Sequence, residues 1–245
     1  MSATASNTIN RLQQDILRLQ GYRRPAGGTS AGLGVIEAAF PNGCFPLGAV
    51  HEFISNTAEE AAASNGFMAG LAGNLMNENG INIWVGKSRS LFPPALAAFI
   101  KRPEHILFIE TATEKNMLWA VEEALKCEGL ACVFCELPAL DFKTSRRFQL
   151  AVEKSHVTGF IHRRQPRQLN TTACVSRWHV TPVASSKPQG LPGFGYARWQ
   201  VNLQKVRNGK PGTWTVEWAA DGFNVIVPQK QTIWLNVMPQ YGSAI

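Results

Sequence analysis

Short apolar stretches alternate with longer helix-like stretches from residue 49 to residue 161, and the first of these, residues 58–76, is apolar on most faces. The short stretches are rich in Val, Ile, Phe and Trp, which favours β-strands, and the longer ones carry apolar residues at helical spacing. The predicted strands cover residues 49–54, 81–85, 106–109, 131–137 and 157–161, and the predicted helices cover residues 58–76, 91–99, 111–126 and 142–153. Within the first helix, Ser64-Asn65-Gly66 is a candidate break after which the main helix starts. Strands separated by helices predict βαβ units and a mainly parallel sheet.

After residue 170 the pattern changes to partial alternation of apolar and polar residues. This alternation predicts strands over residues 174–183, 197–206, 213–218 and 223–227. The pairs Asn208-Gly209 and Asp221-Gly222 are typical of tight hairpin turns. We therefore expect an α/β fold in which an antiparallel meander extends a mainly parallel sheet.

Both ends of the chain differ from this core. Residues 7–20 predict an amphipathic helix with a narrow apolar seam, formed by Ile9, Leu12, Ile16 and Leu19. A Gly- and Pro-containing linker follows, so this helix can fold back on its own domain or contact a partner or a second copy. The predicted organisation is a helix and linker over residues 1–31, a core over 32–228, and a tail over 229–245 that contains an apolar cluster.

Composition limits the possible classes of protein. The chain of 245 residues has 45% hydrophobic residues, enough for one sizeable core. It has no run of 18 apolar residues and no basic, apolar N-terminal leader, so we expect a cytoplasmic protein without a membrane span. Five cysteines at scattered spacing do not predict a disulfide framework. Cys132 and Cys135 form a C-x-x-C pair within a predicted strand, which favours buried thiols over a metal site.

Positive charge is concentrated in residues 141–167, which contain seven basic and two acidic residues. This segment therefore contributes +5 to the net charge of +7 of the whole chain. Arg163, Arg164 and Arg167 follow the predicted strand 157–161. They are candidates for contact with a nucleic-acid backbone or an acidic partner, and a solvated surface is the alternative.

The segment from residue 40 to residue 76 predicts a turn, a short strand, a loop and a helix. This is the order in which RecA-type ATPases present their phosphate-binding loop (P-loop). A working P-loop has the sequence G-x-x-x-x-G-K-[ST], because glycines let backbone N–H groups approach phosphate and the lysine neutralises its charge. Counting from Ser55 puts Glu60 at the second glycine, Ala61 at the lysine and Ala62 at the hydroxyl residue.

The carboxylates of Glu59 and Glu60 would repel a triphosphate at this loop. Thr57-Ala-Glu-Glu60 also fits a capping box, which marks the start of a helix. Both interpretations leave no phosphate site, so we expect neither a nucleotide cofactor nor ATPase activity. Glu136 stands at the end of strand 131–137, where RecA-type ATPases have an Asp for Mg²⁺, and Gly86-Lys87-Ser88 supplies no catalytic base after strand 81–85.

An ordered set of motifs resembles the ImuA family, whose members are RecA-like and related to the SulA cell-division inhibitors. These motifs are Phe40-Pro-x-Gly, Leu47-Gly-Ala-Val-His-Glu, Asn65-Gly-Phe, Ser145-Arg-Arg-Phe-Gln-Leu-Ala-Val-Glu-Lys, Thr158-Gly-Phe-Ile, Ser176-Arg-Trp-His-Val, Ala197-Arg-Trp-Gln-Val and Gly209-Lys-Pro-Gly-Thr-Trp-Thr-Val-Glu-Trp. The resemblance implies a RecA-like core and an accessory role in DNA-damage-induced, error-prone translesion synthesis. It also implies partnership with ImuB and an error-prone polymerase subunit, with RecA or a second copy as further candidate partners. An active RecA-type ATPase or recombinase and a SulA-like cell-division inhibitor are the alternative functions.

Overall fold

A computed structural model describes residues 8, 11–12, 30–76, 80–87, 91–185, 195–219 and 222–226. The α-helices that lie wholly within these residues span Ala58–Leu75 (α1), Glu114–Lys126 (α2) and Phe142–Ser155 (α3). The strands are Val50–Ser55 (β1), Ile81–Gly86 (β2), Ile106–Glu110 (β3), Leu130–Leu137 (β4), Thr158–Arg164 (β5), Ser176–Val183 (β6), Ala197–Val206 (β7), Gly212–Ala219 (β8) and Gly222–Ile226 (β9). They form one sheet in the order β3-β2-β4-β5-β1-β6-β7-β8-β9.

The sheet is parallel from β3 to β6 and antiparallel from β6 to β9. This confirms the predicted α/β fold with a RecA-like, mainly parallel core and a C-terminal antiparallel extension. β6 joins the two parts, because it pairs parallel with β1 and antiparallel with β7. The predicted helix and linker at the N-terminus and the predicted tail lie almost entirely outside the described residues.

Helix α1 is continuous, so the predicted break at Ser64-Asn65-Gly66 is wrong. The Ser64 hydroxyl lies 3.0 Å from that of Ser55, and Asn65 donates a hydrogen bond of 3.3 Å to Glu136. A Cβ atom on Gly66 would lie 3.1 Å from the Trp199 ring. These residues therefore face the sheet, where polar partners and close packing outweigh their weak helix propensity.

Two apolar layers enclose the sheet. On one face α1 packs on a cluster of aromatic rings, among which Phe53 stacks on Trp178 with centroids 5.9 Å apart. On the other face α2 and α3 cover a second cluster that includes Val121 and Phe148. Cys132 belongs to the first cluster and Cys135 to the second, so the two thiols point to opposite faces as predicted.

Burial raises the pKa of the Cys132 thiol to about 12, so it stays protonated at neutral pH. Within the described ranges no group of three His, Cys, Asp or Glu side chains could hold a metal ion. No helix among the described residues is long and apolar enough to span a membrane. The predicted helix over residues 91–99 is instead a 3-10 segment, Pro93–Ala98.

Candidate functional site at the carboxyl ends of the parallel strands

The connection between β1 and α1 occupies the position of a P-loop and consists of two residues, Asn56 and Thr57. The Thr57 hydroxyl accepts a hydrogen bond of 3.2 Å from the Glu60 N–H, and the Glu60 carboxylate accepts one of 2.7 Å from the Asn56 N–H. This reciprocal arrangement confirms the predicted helix start. The connection is too short to form the nest of N–H groups that surrounds a phosphate in a P-loop.

Carboxylates occupy the positive end of the α1 dipole. Burial acts to raise the pKa of Glu60, but hydrogen bonds from Asn56 and His179 outweigh it and hold that pKa below its ordinary value. The Glu60 carboxylate lies 3.0 Å from Nε2 of His179 on β6. A hydrogen bond with Thr57 lowers the pKa of the exposed Glu59. Both carboxylates are therefore ionised at neutral pH, beside a buried Ala61 and an exposed Ala62.

Buried hydroxyl and imidazole groups lie beneath the first turns of α1. The Ser55 hydroxyl lies 3.0 Å from the Ser64 hydroxyl and 2.8 Å from Nε2 of His162 on β5. Burial lowers the pKa of His162 to about 4, although the nearby Glu136 carboxylate opposes this shift. His162 is therefore neutral at physiological pH and joins β1 to β5 through a hydrogen bond.

Glu136, which the sequence pattern matches to the Mg²⁺ ligand of RecA-type ATPases, is engaged by protein groups. The Asn65 amide donates to one of its oxygens at 3.3 Å, and the Arg164 guanidinium lies 3.5 Å from the other. Lys87 is exposed at the end of β2, and β4 and β5 separate β2 from β1 in the sheet. The sheet order therefore places two strands between Lys87 and the strand that leads into α1.

A second polar network lies on the opposite face of the sheet, around Glu52 of β1. Its carboxylate accepts hydrogen bonds of 2.8 Å from Arg163, 2.8 Å from Arg177 and 2.9 Å from Thr172. Arg163 also donates to the Gln168 carbonyl at 2.7 Å. The network thus fixes the start of the segment that connects β5 to β6.

Arg163 is therefore not part of the exposed basic surface that the sequence predicts, since its side chain is 1% exposed. The prediction fails because β5 continues to Arg164, three residues beyond its predicted end, and carries Arg163 under the connecting segment. Arg164 and Arg167 remain exposed. A charged residue inside the apolar run Val50-His-Glu-Phe-Ile was the one signal in the sequence for this network.

In the motif Leu47-Gly-Ala-Val-His-Glu, Gly48 and His51 have structural roles at the start of β1. His51 is fully buried between the Ser176 hydroxyl at 2.7 Å and the Pro46 carbonyl at 2.8 Å, and burial lowers its pKa to about 4. Gly48 has a φ of 60°, and a Cβ there would lie 3.1 Å from the His156 backbone. Both residues of the motif are therefore required by packing at the start of β1.

Of the four residues of the predicted N-terminal seam, the described part of the chain includes Leu12 alone. Leu12 lies in a helical position and is 56% exposed. Ile9, Ile16 and Leu19 fall outside the described residues, so the seam stays a prediction.

The comparisons with known proteins agree with the motifs. No protein-family model matches the chain. Two curated proteins, both named Protein ImuA and from two strains of Caulobacter vibrioides, are each 32% identical to it over 209 residues. The alignment covers 80% of this chain and 86% of each relative. At this identity and coverage, the chain belongs to the ImuA family.

Proposed function

We propose that this protein is a non-catalytic accessory protein of DNA-damage-induced, error-prone translesion synthesis. In this proposal it acts in the cytoplasm with ImuB and the error-prone polymerase subunit, and it needs no cofactor. Membership of the ImuA family supports the assignment to this system, and the geometry of the β1–α1 connection supports the absence of catalysis.

The observation that carries the proposal is that the Glu60 carboxylate lies at the N-terminus of α1, where a P-loop would bind phosphate. Its carboxylate bonds the Asn56 N–H and lies beside His179, and Thr57 caps the helix. A triphosphate would have to displace these contacts and then lie beside the like charges of Glu59 and Glu60, which repel it. No lysine stands in register to offset that repulsion.

Without catalysis, the role that we propose for the folded core is to present surface groups to a partner. The exposed side chains of Arg164 and Arg167 lie at the carboxyl ends of the parallel strands, close to the segment that the Glu52 network fixes. An acidic surface on a protein partner fits these groups, and RecA is a further candidate. Direct contact with DNA through them would be electrostatic and independent of sequence.

The experiment has two parts, both with the full chain. Co-purification with ImuB, with RecA and with the cell-division protein that SulA inhibits tests the partner. Calorimetric titration with ATP and Mg²⁺ tests catalysis. We expect a complex with ImuB and no nucleotide binding.

A dissociation constant for ATP below about 100 μM, near −5.5 kcal/mol, with turnover that disappears in Lys87→Ala or Glu136→Ala, would contradict the non-catalytic role. Binding to the cell-division protein without binding to ImuB would instead favour a division inhibitor.

A further inference from the structure

The sheet edge formed by β3 carries exposed apolar side chains on both faces. Leu107 is 53% exposed and Phe108 is 41% exposed. The register puts Leu107 beside Ile83 and Phe108 beside Trp84, and successive residues of a strand point to opposite faces. Of the nine described strands, β3 is the last on this side of the sheet, so half of its backbone groups point away from β2. Such an edge can accept another strand.

An apolar cavity of about 230 Å³ lies beside the same edge. Its lining is mostly apolar and consists of Trp84, Leu91, Pro93, Phe108 and Ile109. Glu110 adds one charged group to the lining. Phe92, between two of these residues, is 70% exposed. Because Trp84 and Phe108 share the face covered by the 91–98 segment, the cavity can hold a side chain of a strand added to β3.

One segment of this chain has the chemistry of such a strand. Residues 229–238 lie between Pro228 and Pro239, and prolines end a β-ladder because they lack an N–H donor. In an extended segment, Ile233, Leu235 and Val237 would share one face, and Trp234 and Met238 would share the other. The segment therefore offers apolar side chains to both faces, as β3 does.

The segment cannot reach β3 of its own chain. It follows Ile226 at the end of β9, which is the opposite edge of the sheet. Eight steps of about 4.8 Å between strands separate the two edges by about 38 Å. The seven steps from Ile226 to Ile233 span at most about 25 Å when fully extended. In addition β9 runs antiparallel to the core strands, so it ends at the amino ends of the parallel strands, away from the cavity.

We propose that residues 229–238 of one copy add as a strand to β3 of a second copy, with an apolar side chain in the cavity beside Phe108. The two surfaces lie on opposite edges of each copy. The contact is therefore head-to-tail: one copy uses its tail and the other its edge, so a pair still has one free edge and one free tail. Self-association through this contact depends on concentration and can proceed beyond a dimer unless a ring closes.

The test is sedimentation velocity of the full chain from about 1 to about 100 μM, with three variants. The tail variant is Trp234→Asp/Leu235→Asp, and the edge variant is Leu107→Asp/Phe108→Asp. The control is Leu150→Asp on α3, since Leu150 is 49% exposed and comparable to Leu107. We expect the tail and edge variants to weaken self-association at least about tenfold, as loss of a buried Leu or Phe requires, and the control to leave it unchanged. Far-UV circular dichroism establishes that each variant is folded.

Mixing the two defective variants separates this geometry from a symmetric contact. One variant retains an intact edge and the other an intact tail, so their mixture should form a 1:1 complex although each alone is monomeric. A fluorescein-labelled peptide of residues 229–239 should bind the tail variant and fail to bind the edge variant. A full chain that stays monomeric at 100 μM and does not bind the peptide would overturn the proposal. So would unchanged association in the edge variant, or a mixture that remains monomeric.

Discussion

The Glu52 carboxylate accepts a hydrogen bond of 2.8 Å from Nη1 of Arg163, and both side chains are almost fully buried. Arg177 and Thr172 bind the second oxygen of the same carboxylate. The group thus joins β1, β5 and β6 to the segment that connects β5 with β6. Removal of one charge from such a network leaves its partner buried and uncompensated.

Arg163→Ala should therefore lower the free energy of unfolding by about 3 to 5 kcal/mol. Arg164→Ala is the matched control, because Arg164 is 43% exposed and its ion pair with Glu136 contributes at most about 1 kcal/mol. Urea denaturation monitored by tryptophan fluorescence measures both changes. Equal, small effects in the two variants would show that the Glu52 network does not stabilise the fold.

The buried histidines make stability depend on pH. Burial lowers the pKa of both His51 and His162 from 6.5 to about 4 in the folded protein. Between these values the unfolded chain binds more protons than the folded chain, so stability is complete above about pH 6.5 and falls as the pH falls towards 4. Each histidine should account for a loss of about 3 kcal/mol over this range.

Replacement of the histidine separates this effect from that of the carboxylates, whose protonation lowers the stability of the protein over a lower pH range. His162→Gln keeps a polar group beside Ser55 and cannot titrate. The difference in unfolding free energy between this variant and the unmodified chain should shrink as the pH is lowered from 7 to 4.5. A difference that stays constant over that interval would mean that His162 does not titrate with a lowered pKa.

Local sequence patterns were sufficient for most elements and failed where distant residues decide the outcome. The five core strands and the four C-terminal strands lie within about three residues of their predicted ends, because apolar runs and hairpin turns are local signals. The end of β5 was missed because His162 and Arg163 are polar. Their partners, Ser55 and Glu52, lie more than 100 positions away in the chain.

The capping box at Thr57 could be predicted from the sequence, since its residues are close together in the chain. The continuity of α1 could not be predicted locally, because the Ser64 hydroxyl and the Asn65 amide N–H find their partners on β1 and β4. The order of strands was also outside the reach of local patterns. It is this order that puts β3 and β9 at opposite edges.

The N-terminal seam should act in partner binding and not in folding. Leu12 is 56% exposed, so Leu12→Asp should weaken the complex with ImuB without changing the melting temperature. Arg11→Ala, at the exposed neighbouring position, is the control. Deletion of residues 1–24, which removes Ile9, Leu12, Ile16 and Leu19, should abolish the complex and leave the core folded. A truncated chain that unfolds would show that the helix belongs to its own core.

The exposed arginines should contribute electrostatic binding that salt weakens. Arg164→Ala/Arg167→Ala removes two charges from the surface and leaves the buried Arg163 in place, so the fold is kept while the surface is tested. If these residues contact ImuB, affinity for ImuB measured by calorimetry should fall in the double variant and the dependence on salt should weaken. If they contact single-stranded DNA, the slope of log affinity against log salt should become less negative by about 0.7 for each phosphate that is no longer neutralised.

Lys143→Ala/Lys154→Ala, on the exposed face of α3, is the matched control for a general loss of positive charge. Undiminished binding to both ImuB and DNA in the arginine variant, or an equal reduction in the lysine control, would exclude a specific role for Arg164 and Arg167.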